Sequence, residues 1–250
     1  MINTIILAAG KGTRMKSEMP KVLIPVFGKP IIHYLLDSIL KSKISAKPII
    51  VVSPDNQEQI KASLKNYSCY FAVQKQQLGT GQAVASVFES NIKLTENLMV
   101  LYGDHPCYSP ETLQKLNKAH QNSKSPVTMA TTIVPEFQDA FECFYSFGRI
   151  KKNSANEIIA IIEKANATEE EKQIEEVNPG LYVFNTRWLK QNIKKIKMDK
   201  NKKEYYLTDI IAVAVEQKVK INSVAMSPEE CFGVNTMKDL KQVERFLQTN

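Results

Sequence analysis

Apolar residues in this chain gather in short continuous runs separated by amphipathic stretches. Thr4–Ala9, Pro48–Val52 and Asn97–Tyr102 are strand-length runs with few polar interruptions, the pattern of strands covered on both faces. Ile31, Ile32, Leu35, Leu36, Ile39 and Leu40 recur at helical spacing and predict a helix from about Pro30 to Leu40. Gln57–Leu64 predicts a second helix, Tyr70–Val73 a short strand, and Gly81–Glu89 the opening of a third helix. Ser109-Pro110-Glu111-Thr112 reads as a helix start, with Ser as N-cap and Pro in the first turn. Such alternation implies an α/β fold with a mostly parallel central sheet flanked by helices and joined by right-handed crossovers. Ligands of such sheets bind at the carboxyl ends of the strands. The loops Gly10–Pro20, Gln74–Gly81 and Gly103–Pro106 fall there.

The second half has a different texture. Val127–Ile133, Phe147–Ile150, Glu157–Glu163 and Gly180–Phe184 predict strands with no long helix between them. Helices follow over Thr186–Ile196 and Thr208–Gln217, then a strand at Lys220–Val224 and an amphipathic helix over Thr236–Leu247. The division expected is a first half of about residues 1–125, a smaller mixed α+β half of about 126–235, and a C-terminal helix, 236–250. The second half reads as a lid over the first, and no linker separates them as independent domains.

Composition narrows the class. With 43% apolar and 24% charged residues, and only 9 Gly and 11 Pro in 250 positions, the chain is neither disordered nor fibrous. No apolar run approaches the roughly 20 residues of a membrane span. The N-terminus has no basic leader before its apolar run, and the four cysteines, Cys69, Cys107, Cys143 and Cys231, show neither a C-x-x-C pair nor metal-ligand spacing. The expectation is a cytoplasmic protein with reduced thiols and no membrane partner. A net charge of +7 fits either a polyanion partner or positive charge focused on a small anionic substrate. The densest basic stretch, Arg187 to Lys203, lacks interleaved stacking aromatics and reads as a solvated helix face, so no nucleic-acid partner is expected.

Three segments carry candidate chemistry. In Leu7-Ala8-Ala9-Gly10-Lys11-Gly12-Thr13-Arg14-Met15 a strand runs out into Gly-x-Gly, which lets the backbone approach a ligand and turn N–H groups toward it. Such a nest suits phosphate, with Arg14 and Lys21 adding charge. A P-loop is excluded because the lysine lies between the glycines, and the dinucleotide fingerprint because its third glycine is Met15. Gln74-x-x-Gln77-Leu78-Gly79-Thr80-Gly81 offers amide groups able to read a pyrimidine edge beside glycines that admit a flat base. Leu101-Tyr102-Gly103-Asp104-His105-Pro106 ends a strand with a carboxylate suited to Mg²⁺, which prefers few carboxylates plus substrate phosphate oxygens. Each segment read alone is also an ordinary turn, and His105 has no evident partner and no assigned role.

Taken in order, L-A-A-G-x-G-T-R-M, P-K, Q-x-x-Q-L-G-T-G, Y-G-D-x-P, G-R-I, E-Y-Y-L-T-D and G-V-N, these motifs resemble the uridylyltransferase domain of bacterial N-acetylglucosamine-1-phosphate uridylyltransferases. The resemblance runs from about Ile5 to the final helix. It implies a Rossmann-like nucleotidyltransferase fold with a sugar-binding lid, and formation of UDP-N-acetylglucosamine and pyrophosphate from UTP and N-acetylglucosamine-1-phosphate. It also implies Mg²⁺ held by Asp104 and Asn235, and catalytic roles for Arg14 and Lys21 on the triphosphate. Leu7, Ala8, Ala9, Gly10, Gly12, Gln74, Gln77, Gly79, Thr80, Tyr102 and Gly103 would line the nucleotide, and Gly148, Glu163, Asn178, Tyr206 and Thr208 the sugar. The chain departs from the family pattern at Phe147, at Lys164-Ala165-Asn166-Ala167, at Pro179 and in the Lys-rich segment before Glu204. All four lie on the sugar side, so another sugar-1-phosphate remains an alternative, as do CTP and a nucleotide-sugar-binding protein without turnover. The hexapeptide-repeat acetyltransferase domain of the bifunctional members is absent from these residues, and with it any repeat-driven trimerisation. The expectation is a stand-alone transferase or a domain cut at its boundary.

Overall fold

A computed structural model describes residues 1–10, 19–199 and 202–249. The first half contains β1 (Asn3–Leu7), a hairpin of β2 (Pro25–Val26) and β3 (Lys29–Pro30), α1 (Ile31–Ser42), β4 (Ile49–Val52), α2 (Gln57–Ser63), β5 (Tyr70–Val73), α3 (Thr80–Phe88), β6 (Asn97–Tyr102) and α4 (Pro110–Gln121). The second contains β7 (Val127–Ile133), β8 (Gly148–Lys152), β9 (Ile158–Ile162), β10 (Glu176–Asn178), β11 (Tyr182–Asn185), α5 (Thr186–Asn192), α6 (Ile210–Glu216), β12 (Asn222–Ala225) and α7 (Met237–Thr249).

One sheet joins these strands in the order β5-β4-β1-β6-β11-β7-β10-β8-β9, with β12 paired to β7. The central strands β5, β4, β1 and β6 are all parallel, as the alternation of strand and helix requires. Beyond β6 the pairing turns antiparallel through β11 and β7, so the second half continues the same sheet rather than forming a separate layer over it. Alternate residues of each central strand point to opposite faces, and both faces are covered. Ile5, Ile49 and Val51 pack with α3 and α6 on one side, while Ile6, Ile50 and Val52 pack with α1 and α4 on the other. A third cluster gathers Phe144, Phe232, Val234, Leu240 and Val243, seating α7 against the loop before it.

The expected elements are present, with shifted limits. β1 ends at Leu7, leaving Ala8 and Ala9 as a buried turn. The helix expected over Thr186–Ile196 ends at Asn192 and finishes as a 3-10 turn. That over Thr208–Gln217 opens with a 3-10 turn at Leu207–Asp209. β10 and the 3-10 segment Asp139–Ser146 have no periodic apolar signal and were not foreseen.

Arg149 explains how that irregular part holds its shape. The side chain is fully buried, and its guanidinium donates to the carbonyls of Phe147, Tyr145 and Lys172, the last two at 3.2 Å. It also lies 4.5 Å from the Phe137 ring centre. Burial depresses its pKa, but the carbonyl dipoles and ring face keep the cation solvated by protein. Arg149→Met would leave those carbonyls without their donor, and a loss of about 3 kcal/mol is expected in urea unfolding. A loss under about 1 kcal/mol would show that the carbonyls find other donors.

Candidate active site

Strand order reverses around β1, which has β4 on one side and the later β6 on the other, and a crevice opens at the carboxyl ends of the two. Three successive carbonyls leaving β1 are met by donors. Leu7 accepts from the Gly103 N–H at 3.0 Å, Ala8 from Asn56 Nδ2 at 2.9 Å and Ala9 from Gln77 Nε2 at 2.6 Å. With its negative dipole ends occupied, this turn can face an anion without repelling it. Gly12 and Arg14, expected to continue this nest, lie outside the described residues.

Opposite the turn stands a compact charged cluster. The Lys21 ammonium pairs with Asp104 and donates to Asn235 Oδ1 at 2.7 Å. Burial pushes the Asp104 carboxyl up, but the Lys21 charge overcomes this and holds it below the usual carboxylate range. The Asp104 carbonyl accepts from the Val234 N–H at 2.9 Å, and Asp239 accepts from the Asn235 and Thr236 N–H groups at 2.9 and 2.8 Å. These bonds place the Asn235 amide beside Asp104 across 131 residues of sequence. His105 is buried next to them, its Nε2 3.7 Å from Asp104 Oδ1.

The glutamine loop forms one wall. Gln74 Nε2 donates to the Gly79 carbonyl at 3.0 Å and to Gln82 Oε1 at 2.6 Å. Gly79 takes φ +96°, and a Cβ there would lie 2.6 Å from the Tyr205 carbonyl oxygen, so only glycine fits. The loop is tied to the far wall by Gly81 N–H on the Tyr205 carbonyl at 2.7 Å, Tyr205 N–H on Leu78 at 2.8 Å and Leu207 N–H on Thr80 Oγ1 at 2.9 Å.

The remaining wall is made by Gly148, Glu163, Asn178, Tyr206 and Thr208. The Thr208 hydroxyl donates to Glu163 Oε1 at 2.8 Å. Burial raises the Glu163 carboxyl above its ordinary value, and the Thr208 bond opposes that only in part. Next to it, burial followed by repulsion from Glu163 and Asp199 pushes Asp209 up to about 6.

A cleft of about 660 Å³ joins these walls. Of the residues expected at the site, Leu7, Ala8, Ala9, Gly10, Lys21, Gln74, Gln77, Gly79, Thr80, Tyr102 and Asp104 line it, as do the five wall residues and Asn235. Gly103 does not line it; its N–H joins β6 to β1 behind the wall. The cleft also takes in His105, Ser146, Phe147, Pro179 and Glu204. Phe147 and Pro179 stood out in the sequence as departures from the family pattern, whereas Ser146 and His105 carried no signal of a role.

The cleft and its surroundings agree with known proteins. The Nucleotidyl transferase family matches residues 3–246. "Bifunctional protein GlmU" of Psychrobacter sp. is 37% identical over 245 residues, 98% of this chain and 51% of that protein. The protein of that name from Desulfotalea psychrophila is 35% identical over 98% of this chain and 70% of its own length. Apart from the latter, this chain spans about half the length of such relatives. Among solved structures, a Bacillus anthracis protein described as a glucose-1-phosphate thymidylyltransferase, in complex with sucrose, superposes at TM-score 0.77 with 20% identity, covering 100% of this chain and 96% of that one. A UDP-glucose pyrophosphorylase complexed with UDP-glucose superposes at 0.75, also with 20% identity, covering 100% of both chains. These two carry the fold alone. Matched along nearly its whole length by the family and by relatives above 30% identity, the chain belongs to the nucleotidyl transferases, enzymes of the sugar-1-phosphate type.

Proposed function

We propose that this chain transfers the uridylyl group of UTP to N-acetylglucosamine-1-phosphate, releasing pyrophosphate. The observation that carries the reading is the convergence of Lys21, Asp104 and Asn235 between the glutamine loop and the Glu163 wall. A phosphate oxygen of the sugar phosphate attacks the α-phosphorus, a P–O bond forms, and the bond from that phosphorus to the bridging oxygen of pyrophosphate breaks. The nucleophile is already anionic, so the chain need not supply a general base. Its task is to bring two anions together in line and offset their charge.

Asp104 and Asn235 fit Mg²⁺, because both turn hard oxygen donors onto one cation, here the Lys21 ammonium. Among the described residues no cluster of three or more His, Cys, Asp or Glu forms a metal cage, so substrate phosphate oxygens would complete the shell. When bound, the ion would neutralise charge on the phosphates and the departing pyrophosphate. Lys21 would then be released to the triphosphate, and Arg14 is assigned there with it. The donor pattern of Gln74 supports uracil over cytosine. Its two amide hydrogens are committed to Gly79 and Gln82, and the Gly79 carbonyl can only accept, so Nε2 is fixed there. Among the described residues no donor reaches Gln74 Oε1, which matches the N3–H of uracil and repels the N3 lone pair of cytosine. Glu163 and Asn178 offer acceptors and a donor for sugar hydroxyl and amide groups. The family names of the relatives support the N-acetylglucosamine choice, and the departures at Phe147 and Pro179 favour testing other sugars beside it.

The reading is tested by Mg²⁺-dependent pyrophosphate release from UTP with N-acetylglucosamine-1-phosphate, glucose-1-phosphate and galactosamine-type analogues. Highest kcat/KM with the first is expected. Preference for another sugar replaces the acceptor, and no turnover with any overturns the reading. Asp104→Asn should lower kcat by about a hundredfold, the scale of one lost electrostatic contact to a developing charge. Its melting curve should stay near that of the parent, and retention of half the parent rate would remove Asp104 from the site. Gln74→Ala should raise the KM for UTP about tenfold and bring kcat/KM for UTP and CTP closer together; an unchanged UTP-to-CTP ratio would assign base selection elsewhere.

A further inference from the structure

Tyr108 has no part in the chemistry above, yet its buried hydroxyl has a definite target. It lies in the loop between β6 and α4, only 1% exposed, with its oxygen 2.9 Å from the Pro179 carbonyl and 3.3 Å from His105 Nδ1. A carbonyl only accepts, so the single phenolic hydrogen goes to Pro179. The phenol ring lies nearly parallel to the imidazole, at 19° with centroids 5.8 Å apart, and that imidazole stands beside Asp104. One pair of stacked rings therefore spans from the charged cluster to the loop Asn178-Pro179-Gly180.

That loop has few other restraints. Proline supplies no N–H, and it replaces a residue that in the family pattern carries a hydroxyl. Asn178 Oδ1 accepts from the Gly180 N–H at 3.1 Å, which turns the chain back on itself. Gly180 takes φ +80° with its Cα against the Tyr102 ring, where a Cβ would overlap the ring atoms. The Tyr108 hydroxyl is thus the side-chain donor that fixes the middle of the loop, and the Asn178 side chain faces the cleft from its first position.

We propose that Tyr108 is a positioning residue for the sugar end of the cleft: by holding the Pro179 carbonyl it sets where Asn178 stands relative to the charged cluster. The inference rests on the proposed sugar-nucleotide activity. It adds a residue that touches no substrate but selects for the sugar half of the ligand over the nucleotide half.

The test separates the two halves by calorimetric binding of UDP and of UDP-N-acetylglucosamine to the whole chain. Tyr108→Phe keeps the ring stack and removes only the hydroxyl. It should leave UDP affinity within about twofold of the parent and weaken UDP-N-acetylglucosamine about fivefold, the worth of one hydrogen bond. In an Asn178→Ala background the same change should cost less than about twofold, because the group it positions is gone. Equal weakening of both ligands would make Tyr108 merely structural. An undiminished loss without Asn178, or no loss at all, would overturn the proposal. A parent protein that binds UDP but none of the UDP-sugars would instead overturn the sugar-nucleotide reading, and the proposal with it.

Discussion

A carboxylate buried at the end of a parallel strand persists in its charged form only where positive charge meets it. Taking such an ion out of water costs several kcal/mol. Asp104 meets that condition through Lys21, and the arrangement recruits distant parts of the chain. Lys21 opens a 3-10 turn anchored by the buried Val22 and Leu23. Asn235 arrives from the far end of the chain, pinned by the Val234 bond to the Asp104 carbonyl and by Asp239 at the start of α7. The third apolar cluster, with its packed phenylalanines, exists around this return of the chain. A charge that must be compensated thus determines where the last helix docks.

The same logic orders the walls on either side. The glutamine loop and the 204–208 segment are joined by main-chain bonds, which give both segments partners for groups that a bare loop would leave unpaired. Gly79 is needed because the two backbones come too close for a side chain. The distance between the wall that reads a base and the wall that would hold a sugar is consequently a property of the backbone. Thr208 then turns Glu163 inward, and the buried carboxyl is kept from full neutralisation by that one hydroxyl.

The first half was readable in the sequence because its signals are physical necessities of a two-sided sheet. Ile49–Val52 must be uninterrupted when both faces are covered, and the spacing from Ile31 to Ile39 must be helical when one face packs on the sheet. The carboxyl-end loops follow from topology, and the cleft forms among them. The second half was less legible because its determinants are long-range. Nothing near Arg149 in sequence announces that its guanidinium will be solvated by the carbonyls of Phe147 and Lys172. Likewise, β10 is three residues long and owes its place to β7 and β8 rather than to its own composition. His105 showed no partner in the sequence because its partners, Tyr108 and the Asp104 carboxylate, are set by a turn whose shape the residue types alone do not specify.

That contrast bears on how specificity can change within this fold. At the nucleotide end the binding groups sit on central parallel strands and on loops fixed by backbone bonds, so a substitution there disturbs the sheet or the charge compensation at Asp104. At the other end the wall is positioned by side chains: Arg149 carries the turn before Gly148, Thr208 orients Glu163, and Tyr108 holds Pro179. A side-chain substitution can move such a wall by fractions of an ångström without repacking a strand. The departures from the family pattern at Phe147, Ala165, Asn166 and Pro179 all fall where positioning is by side chain, and none falls on the central strands. Variation has accumulated where the physics makes it least costly, and the acceptor sugar is therefore the property of this cleft most open to adjustment.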